Sequence, residues 1–266
     1  MRALLALALG VNGCSGAIPP PREHPTFVSL NPCADAILAE VADPAQIIAI
    51  SSYSHDPRAS SMPQAQAQRF RAVRGSAEEV LALAPDVVLA SPFLAPGTRQ
   101  AVAHAGIAIV TVGVPTTVAQ SQAQVRALAR VAGHDERGEQ LVARIDMALA
   151  HARPVGRPIS ALVWQQGGIV PGPRTLIADL LSRTGFSSHS AARGLGQGAY
   201  LPLEQVLADP TQVVMAAGGE RILTHPALRR VKGMHYASLD PTLLFCGGPT
   251  IERAARRLAE IRRGLG

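Results

Sequence analysis

Short apolar runs, many of them β-branched, alternate along the chain with longer stretches whose apolar positions recur every three to four residues. The runs contain few polar positions, which is typical of strands buried on both faces of a parallel sheet. This alternation predicts an α/β fold in which helices cover parallel-type sheets. The predicted strands span residues 26–30, 47–50, 87–90, 107–112, 159–164, 213–216 and 236–239.

Two consecutive helices are predicted between the fourth and fifth strands, over residues 118–131 and 135–152. Leu141, Ile145 and Leu149 are spaced four residues apart in the second helix, so they form one apolar stripe on an otherwise charged surface. At 1.5 Å per residue this helix is about 27 Å long, which is enough to run along two small lobes.

An internal repeat supports a two-lobed organisation. Residues 78–90 align without gaps on residues 204–216, and seven of the thirteen positions are identical. Solenoid repeats recur every 20 to 50 residues or so, whereas this offset is close to half the chain, so we predict two related Rossmann-like lobes with a ligand cleft between them. The predicted divisions are a signal or lipoprotein-like segment with its tether (1–24), an N-terminal α/β lobe (25–133), a single long interlobe helix (134–153) and a C-terminal α/β lobe (154–266).

The first residues resemble an export signal. Residues 3–11 form an apolar run, which is shorter than the roughly 20 residues that a bilayer-spanning helix needs. Residues 11–14 resemble a lipoprotein cleavage box with Cys14 as the acylated residue, although Asn12 fits it poorly; ordinary signal cleavage and a buried N-terminal helix are the alternatives. A proline run at residues 19–21 indicates a tether. We expect an exported protein in a periplasm, either soluble or lipid-anchored through Cys14.

Composition excludes several classes of protein. Of the 266 residues, 47% are hydrophobic and 17% charged, which excludes disorder and predicts a core that needs no cofactor to fold. The net charge is +6, from 25 basic and 19 acidic residues. No basic stripe carries interleaved aromatic residues, so we expect no nucleic-acid partner. A basic cluster on the wet face of a predicted C-terminal helix consists of Arg253, Arg256, Arg257, Arg262 and Arg263.

The usual catalytic and metal-binding motifs are absent from the sequence. It contains no phosphate-binding loop, no His-Glu-x-x-His, no Gly-x-Ser-x-Gly and no Cys-x-x-Cys, and its eight histidines are dispersed. We therefore expect neither an enzyme nor a metal site. The alternative is an exported two-lobed α/β enzyme acting in the same cleft, for which His55 near Ser54 or Cys33 is the one candidate pair.

Ligand contacts are expected in the loops that follow the strands, because ligands of open α/β sheets bind beyond the carboxyl ends of the strands. Four of the nine aromatic residues lie in or beside these loops, which favours a bulky, partly apolar ligand. The alternative is that each aromatic side chain covers the core of its own lobe. The candidate ligand-binding residues are Asn31, Cys33, Tyr53, His55, Phe93, Trp164, Gln165, Phe245 and Cys246.

Cys33 and Cys246 occupy what we interpret as equivalent loops of the two halves. They could face each other across the cleft, pair as a disulfide in an oxidising compartment, or touch a metal centre in the ligand. The sequence favours a fourth interpretation, in which the two cysteines are unrelated thiols.

Two acidic residues occupy matching positions in the repeat. Ser76 and Glu79 fit a capping box, which leaves Glu78 free, and Glu204 is its counterpart two residues after Pro202. Acidic residues stabilise a helix N-terminus, and this is one explanation for the positions of Glu78 and Glu204. The other is that the two carboxylates dock onto a two-fold symmetric partner with arginine pockets.

Together these segments resemble the periplasmic cobalamin, haem and ferric-siderophore binding proteins of ABC importers. The resemblance spans residues 26–265 and is carried by residues 28–32, 48–54, 78–86 and 202–208. It implies two lobes joined by a rigid helix, and a monomer that captures a metal chelate and delivers it to a dimeric permease with its ATPase. The docking glutamates of this family fall on Glu78 and Glu204.

The resemblance leaves the ligand open. Cobalamin-binding members are similar around Tyr53, but where they carry further cleft aromatics this chain has residues 245–248, Phe-Cys-Gly-Gly. A surface-anchored interaction domain with an empty cleft is a third possible function.

Overall fold

The computed structural model describes residues 24–218 and 225–265. The predicted export signal, Cys14 and the tether lie outside the described residues. In the described part of the chain, no helix is both long enough and apolar enough to cross a membrane.

The N-terminal sheet has five parallel strands in the order β3-β2-β1-β4-β5. The strands are connected by helices, because parallel neighbours require a crossover. Asn31 starts the first of these helices, since its side-chain Oδ1 accepts hydrogen bonds from the backbone N–H groups of Cys33 and Ala34. The strands are β1 Phe27–Ser29, β2 Ile47–Ser51, β3 Ala72–Val73, β4 Val87–Ala90 and β5 Ala108–Thr111.

The C-terminal sheet follows the order β11-β10-β6-β7-β9, with β8 paired to the start of β6. It is mixed rather than purely parallel, because β7 runs antiparallel to both β6 and β9. The chain reverses after β6 at the short 3-10 turn Gln166–Gly168, where Gly167 and Gly168 have positive φ angles. The strands are β6 Ile159–Gln165, β7 Ile169–Val170, β8 Phe186–Ser188, β9 Ala199–Tyr200, β10 Val213–Ala217 and β11 His235–Leu239.

The described residues form α-helices of very different lengths, of which the three longest pack together. Further 3-10 turns lie at Pro44–Gln46, Ser52–His55 and Pro241–Leu244. The α-helices are α1 Pro32–Val41, α2 Gln64–Ala67, α3 Ala77–Leu83, α4 Pro96–His104, α5 Val118–Ala132, α6 Asp135–His151, α7 Leu176–Arg183, α8 His189–Ala192, α9 Leu203–Ala208, α10 Pro226–Arg229 and α11 Thr250–Arg263.

Helix α6 connects the two lobes and packs against α1, α5 and the C-terminal helix α11. Its apolar stripe, including Leu141 and Ile145, is fully buried. The Arg144 guanidinium donates to Glu40 of α1 at 2.6 Å and to Glu252 of α11 at 3.3 Å. The helix is therefore tied to both lobes by apolar packing and by ion pairs.

The two sheets share one hydrophobic core. Alternate residues of β1 and β6 face this shared core, as Phe27 and Val163 do, whereas Val28 and Leu162 face a smaller cluster on the outer side of each sheet. Because protein interiors are close-packed, a core common to both sheets resists rotation of one against the other. We expect little movement of the lobes on ligand binding.

The internal repeat corresponds to two matching helix-strand units, α3-β4 and α9-β10. Strand β4 lies beside β1, and β10 lies beside β6, each as a parallel neighbour of the first strand of its lobe. The order β2-β1-β4-β5 is thus matched by β8-β6-β10-β11. The two lobes have the same arrangement around their first strand, as the sequence repeat predicts.

Candidate functional site

The loops that follow the strands of the two sheets meet between the lobes. Cys33, just after β1, is joined by a disulfide to Cys246, which follows β11. The Ser61 hydroxyl of the N-terminal lobe donates to the Thr242 carbonyl at 2.6 Å. These contacts bring the carboxyl ends of both sheets to one cleft, where α/β proteins bind their ligands.

The larger of two cavities near these loops has a volume of about 1230 Å³ and lies at the carboxyl ends of β6, β10 and β11, where all of its described lining residues belong to the C-terminal lobe. Ligand pockets usually measure about 300 to 1,000 Å³, so this space suits a bulky ligand. Aromatic and polar side chains share its wall, which offers stacking surface and hydrogen-bonding groups to the same ligand. They are Trp164, Gln165, Gln166, Tyr200, Asp240 and Arg257.

Tyr200 is the main residue of this cavity that the sequence did not single out. Its side chain is 65% exposed, and its ring packs over Gly168. A Cβ at Gly168 would lie 2.7 Å from the ring, so only glycine permits this contact. The scarcity of aromatic residues could have drawn attention to Tyr200, which is one of only three tyrosines in the chain. It was missed because β9 has only two residues, so the sequence shows no strand there.

A second cavity, of about 270 Å³, lies directly between the lobes. Val114 to Thr116, which follow β5, form one wall, and Phe245 with Cys246 belongs to the other. Gln165 lines both cavities and so marks the point where they adjoin.

The interpretation of Cys33 and Cys246 as unrelated thiols is wrong, because the two residues form a disulfide. They also do not occupy equivalent loops. Cys33 follows β1, which is central in its sheet, and Cys246 follows β11, which is at the edge of the other. The loops meet because they belong to facing sheets.

Asn31 and His55 have hydrogen bonds within the N-terminal lobe. Besides starting α1, Asn31 donates through its side-chain amide to the Val112 carbonyl at 3.2 Å and is buried. The His55 Nε2 lies 3.0 Å from the Ala67 carbonyl and 3.1 Å from that of Phe70. Both side chains hold the loops around the cleft in place.

Tyr53 and Phe93 are the exposed aromatics of the N-terminal lobe. Their side chains are 64% and 87% exposed, and they line neither of the two cavities. Trp164, in contrast, is only 5% exposed, yet it forms part of the wall of the larger cavity. Single exposed aromatic side chains are common on protein surfaces, so the exposure of Tyr53 and Phe93 does not by itself assign them to the ligand site.

Comparison with known proteins identifies the family. The sequence profile of the periplasmic binding protein family matches residues 27–233. The chain belongs to this family. Membership makes it a solute-binding protein rather than an enzyme and implies a periplasmic location. No curated protein sequence is significantly similar to the chain.

Solved structures of other periplasmic binding proteins have the same fold. The apo haem-binding protein RhuT from Roseiflexus sp. RS-1 is 21% identical, with a TM-score of 0.72 over 91% of this chain and 98% of its own. The haem-binding protein HutB of Vibrio cholerae is 16% identical, with a TM-score of 0.74 over 90% and 98%. The vitamin B12-binding protein BtuF of Vibrio cholerae is 18% identical, with a TM-score of 0.69 over 91% and 98%.

Glu78 and Glu204 of this periplasmic binding protein are both exposed and lie in the first turns of α3 and α9. The predicted capping box is confirmed, since Ser76 and Glu79 hydrogen-bond reciprocally. Glu78 is not free, however. Hydrogen bonds from its own backbone N–H and from the Ser76 hydroxyl lower the pKa of its carboxyl below the usual value.

Asp35 is a buried acid beneath the loop that carries Tyr53. Its Oδ2 accepts hydrogen bonds from the Ser54 hydroxyl at 2.6 Å and the Ser51 backbone N–H at 3.0 Å, while its Oδ1 has no partner. Burial raises the pKa of the carboxyl to about 7, against the opposing effect of the hydrogen bonds from Ser29, Ser54 and Ser51. Asp35 therefore holds a proton in the folded protein at a pH where the unfolded chain has released it.

This raised pKa predicts a pH-dependent stability. Its stabilising contribution is complete below pH 3.8, the unfolded pKa, and is lost as the pH rises through about 7. Replacing Asp35 with asparagine removes the titration and keeps an acceptor for Ser51 and Ser54. Between pH 4 and pH 8, the free energy of unfolding should fall in the wild type relative to Asp35→Asn by an amount on the order of 4 kcal/mol.

Urea unfolding across this pH range measures the difference. Asp146→Asn, which alters an exposed acid of α6, is the matched control and should retain the pH profile of the wild type. Parallel profiles for the wild type and Asp35→Asn would show that Asp35 is ionised in the folded state.

Proposed function

We propose that the protein is the solute-binding subunit of an ABC importer and captures a metal chelate, namely a corrinoid, haem or ferric siderophore, in the cleft between its lobes. The observation that carries the proposal is the cavity of about 1230 Å³ at the carboxyl ends of the C-terminal sheet, with Trp164 and Tyr200 in its wall. The similar solved structures support the ligand class, because two of those described above bind haem and one binds vitamin B12.

The chemistry of the cavity wall fits a large chelate with an apolar body and a polar periphery. Trp164 and Tyr200 offer ring surface to a flat ligand. The Gln165 and Gln166 amides can donate and accept hydrogen bonds, so they suit the amide or carboxylate groups at the edge of such a ligand. The Arg257 guanidinium also lines this wall, where it donates to the Ser238 carbonyl and forms an ion pair with Glu260 at 3.3 Å.

The N-terminal lobe covers the other side of the ligand in this proposal. We infer that the exposed rings of Tyr53 and Phe93 contact the chelate from the N-terminal lobe, although they line neither of the two cavities, and that Phe245 contacts it from the smaller cavity. Asn31 and His55 contribute by shaping the loops after β1 and β2. The Cys33–Cys246 disulfide forms part of the wall and does not coordinate metal as a thiolate.

Delivery requires a permease, and we propose that Glu78 and Glu204 dock onto arginine pockets of a dimeric permease driven by its ATPase. The binding protein acts as a monomer with one carboxylate on each lobe. Charge-assisted bonds from arginine to carboxylate are among the strongest polar contacts in proteins. The matching positions of the two glutamates in a duplicated fold suit a partner with two-fold symmetry.

Fluorescence of Trp164 tests ligand capture. Trp164 is the only tryptophan of the chain, so its emission should be quenched by a chelate in the larger cavity and should saturate at one equivalent. Haemin, cyanocobalamin and a ferric hydroxamate siderophore are titrated separately. Free N-acetyltryptophanamide is the control for light absorption by the chelate. Absence of saturable quenching with all three would rule out the proposed ligand class.

A further inference from the structure

We propose that Cys33 and Cys246 are positioning residues whose disulfide holds the cleft in the shape that binds ligand, so that reduction of this bond weakens binding. The inference rests on the proposed function and assigns a role in ligand binding to the disulfide, beyond its role in linking the two lobes. Its basis is the position of the disulfide, which joins a central loop of one lobe to a wall of the interlobe cavity in the other.

The N-terminal end of the bond is firmly fixed. Cys33 lies in the first turn of α1, and its backbone N–H is bound by Asn31, whose amide also holds the Val112 carbonyl. The same turn of α1 makes a second set of contacts, because the Asp35 carboxylate accepts hydrogen bonds from the Ser54 hydroxyl and the Ser51 N–H. The start of α1 thus connects three loops of the N-terminal lobe to one another.

The C-terminal end of the bond belongs to a loop in which Gly247 and Gly248 pack closely against Ser121 and Ile37 of the N-terminal lobe, whereas the Phe245 side chain is exposed. Phe245 and Cys246 lie between the 3-10 turn Pro241–Leu244 and helix α11. On the far side of this loop, the Gly248 backbone N–H donates to Ser121 of α5 at 2.7 Å. At the loop itself, the Cys33 Sγ contacts the Phe245 carbonyl oxygen at 3.5 Å. The disulfide is therefore the covalent tie that joins Cys246, and with it Phe245, to the N-terminal lobe, in addition to the contacts that Gly247 and Gly248 make with that lobe.

Loss of this tie should loosen the loop without separating the lobes. The shared core, the Arg144 ion pairs and the bond from the Val118 N–H to Asp179 all remain after reduction. The Phe245 ring, which is partly exposed beside the cavity, would become free to reorient. A side chain that is ordered only on binding lowers affinity, because its ordering opposes association.

The redox step is a thiol–disulfide exchange with a dithiol reductant. Cys33 is partly exposed and Cys246 is buried, so a reductant thiolate attacks the Cys33 Sγ and Cys246 leaves as a thiolate, which takes up a proton. The second thiol of the reductant then displaces Cys33, which becomes a thiol as the reductant becomes a disulfide. Two electrons and two protons pass to the protein.

The experiment compares the oxidised protein, the protein reduced with a dithiol and freed of reductant by anaerobic gel filtration, and the double variant Cys33→Ser/Cys246→Ser. Thiol titration should find two more thiols after reduction. Affinities for haemin, cyanocobalamin and a ferric hydroxamate are measured by titration. We expect a dissociation constant about tenfold higher in both the reduced protein and the variant. Prior treatment with the dithiol should leave the variant unaffected.

Equal affinity in the oxidised and reduced forms, with two new thiols counted, would overturn the inference. If the oxidised protein binds none of the chelates, the proposed function fails, and hydrogen exchange then decides the inference without a ligand. If reduction speeds amide hydrogen exchange in peptides covering residues 243–249 and leaves peptides of α6 unchanged, the result supports the positioning role of the disulfide. Unchanged exchange in residues 243–249 overturns it.

Discussion

Replacing Glu78 and Glu204 together with alanine is expected to reduce chelate uptake by cells to background while leaving the affinity of the purified protein for the chelate unchanged. Both carboxylates are exposed, and neither lines the cavities of the cleft. Uptake is measured in cells that lack the unaltered protein, and affinity is measured through Trp164 fluorescence.

The physical reason is the position of the two glutamates relative to the cleft. In units that connect parallel strands, the helix runs opposite to the strands, so its N-terminus lies at the edge of the sheet where strands end. The first turns of α3 and α9 therefore lie toward the side of the molecule at which the cleft opens. One docked permease could then receive the ligand and hold both lobes at once.

Glu136→Ala is the matched control for the double variant. Glu136 is also an exposed acid in the first turn of a helix, but it belongs to α6 and not to the repeat. Uptake should be unaffected by this change, and each single variant at Glu78 or Glu204 should retain part of it. Loss of chelate affinity in the double variant would assign these glutamates to the ligand site instead.

Alanine at Gly248 is expected to destabilise the protein by about 2 to 4 kcal/mol, which combines the strain of a left-handed residue with a steric clash in the core. Gly248 is buried where α11 approaches α1, and its φ angle is +58°. A Cβ there would lie 2.6 Å from the Ile37 Cγ1, so either helix α1 or the loop must move. The change also disturbs the hydrogen bond that Gly248 donates to Ser121.

Gly233→Ala separates the two contributions. Gly233 has a similar positive φ of +76°, but nothing lies within 4 Å of its would-be Cβ. In this variant the free energy of unfolding should fall by only about 1 kcal/mol, because only backbone strain is added. Urea unfolding of both variants gives the comparison, and equal losses would show that the contact between the lobes at Gly248 relaxes without cost.

The sequence predicted the strands that lie within apolar runs and missed four short strands that do not. All seven predicted strands are present: β1, β2, β4, β6 and β10 are mostly buried, whereas β5 and β11, at the sheet edges, are largely exposed or half-buried. Strands β3, β7, β8 and β9 have only two or three residues, so they show neither a run nor an alternation. Their pairing depends on neighbours that the local sequence does not reveal, which is why the mixed C-terminal sheet was predicted as parallel-type.

The site was predictable only in its location. The rule that ligands bind beyond the strand ends led to Trp164, Gln165 and the loop of Phe245, which line the cavities. The disulfide could not be derived in the same way, since its residues are 213 positions apart and meet through the packing of two sheets. Asp35 was also missed, because a short stretch of sequence does not show whether a carboxyl is buried.

A structure of the oxidised protein with the chelate that quenches Trp164 tests the central claim most directly. We expect one chelate between the lobes, in contact with Gln165 and Tyr200 and covered by Tyr53 or Phe245. The two sheets should keep the relative position that they have without ligand. A chelate bound on the outer surface, away from the carboxyl ends of the strands, would contradict it.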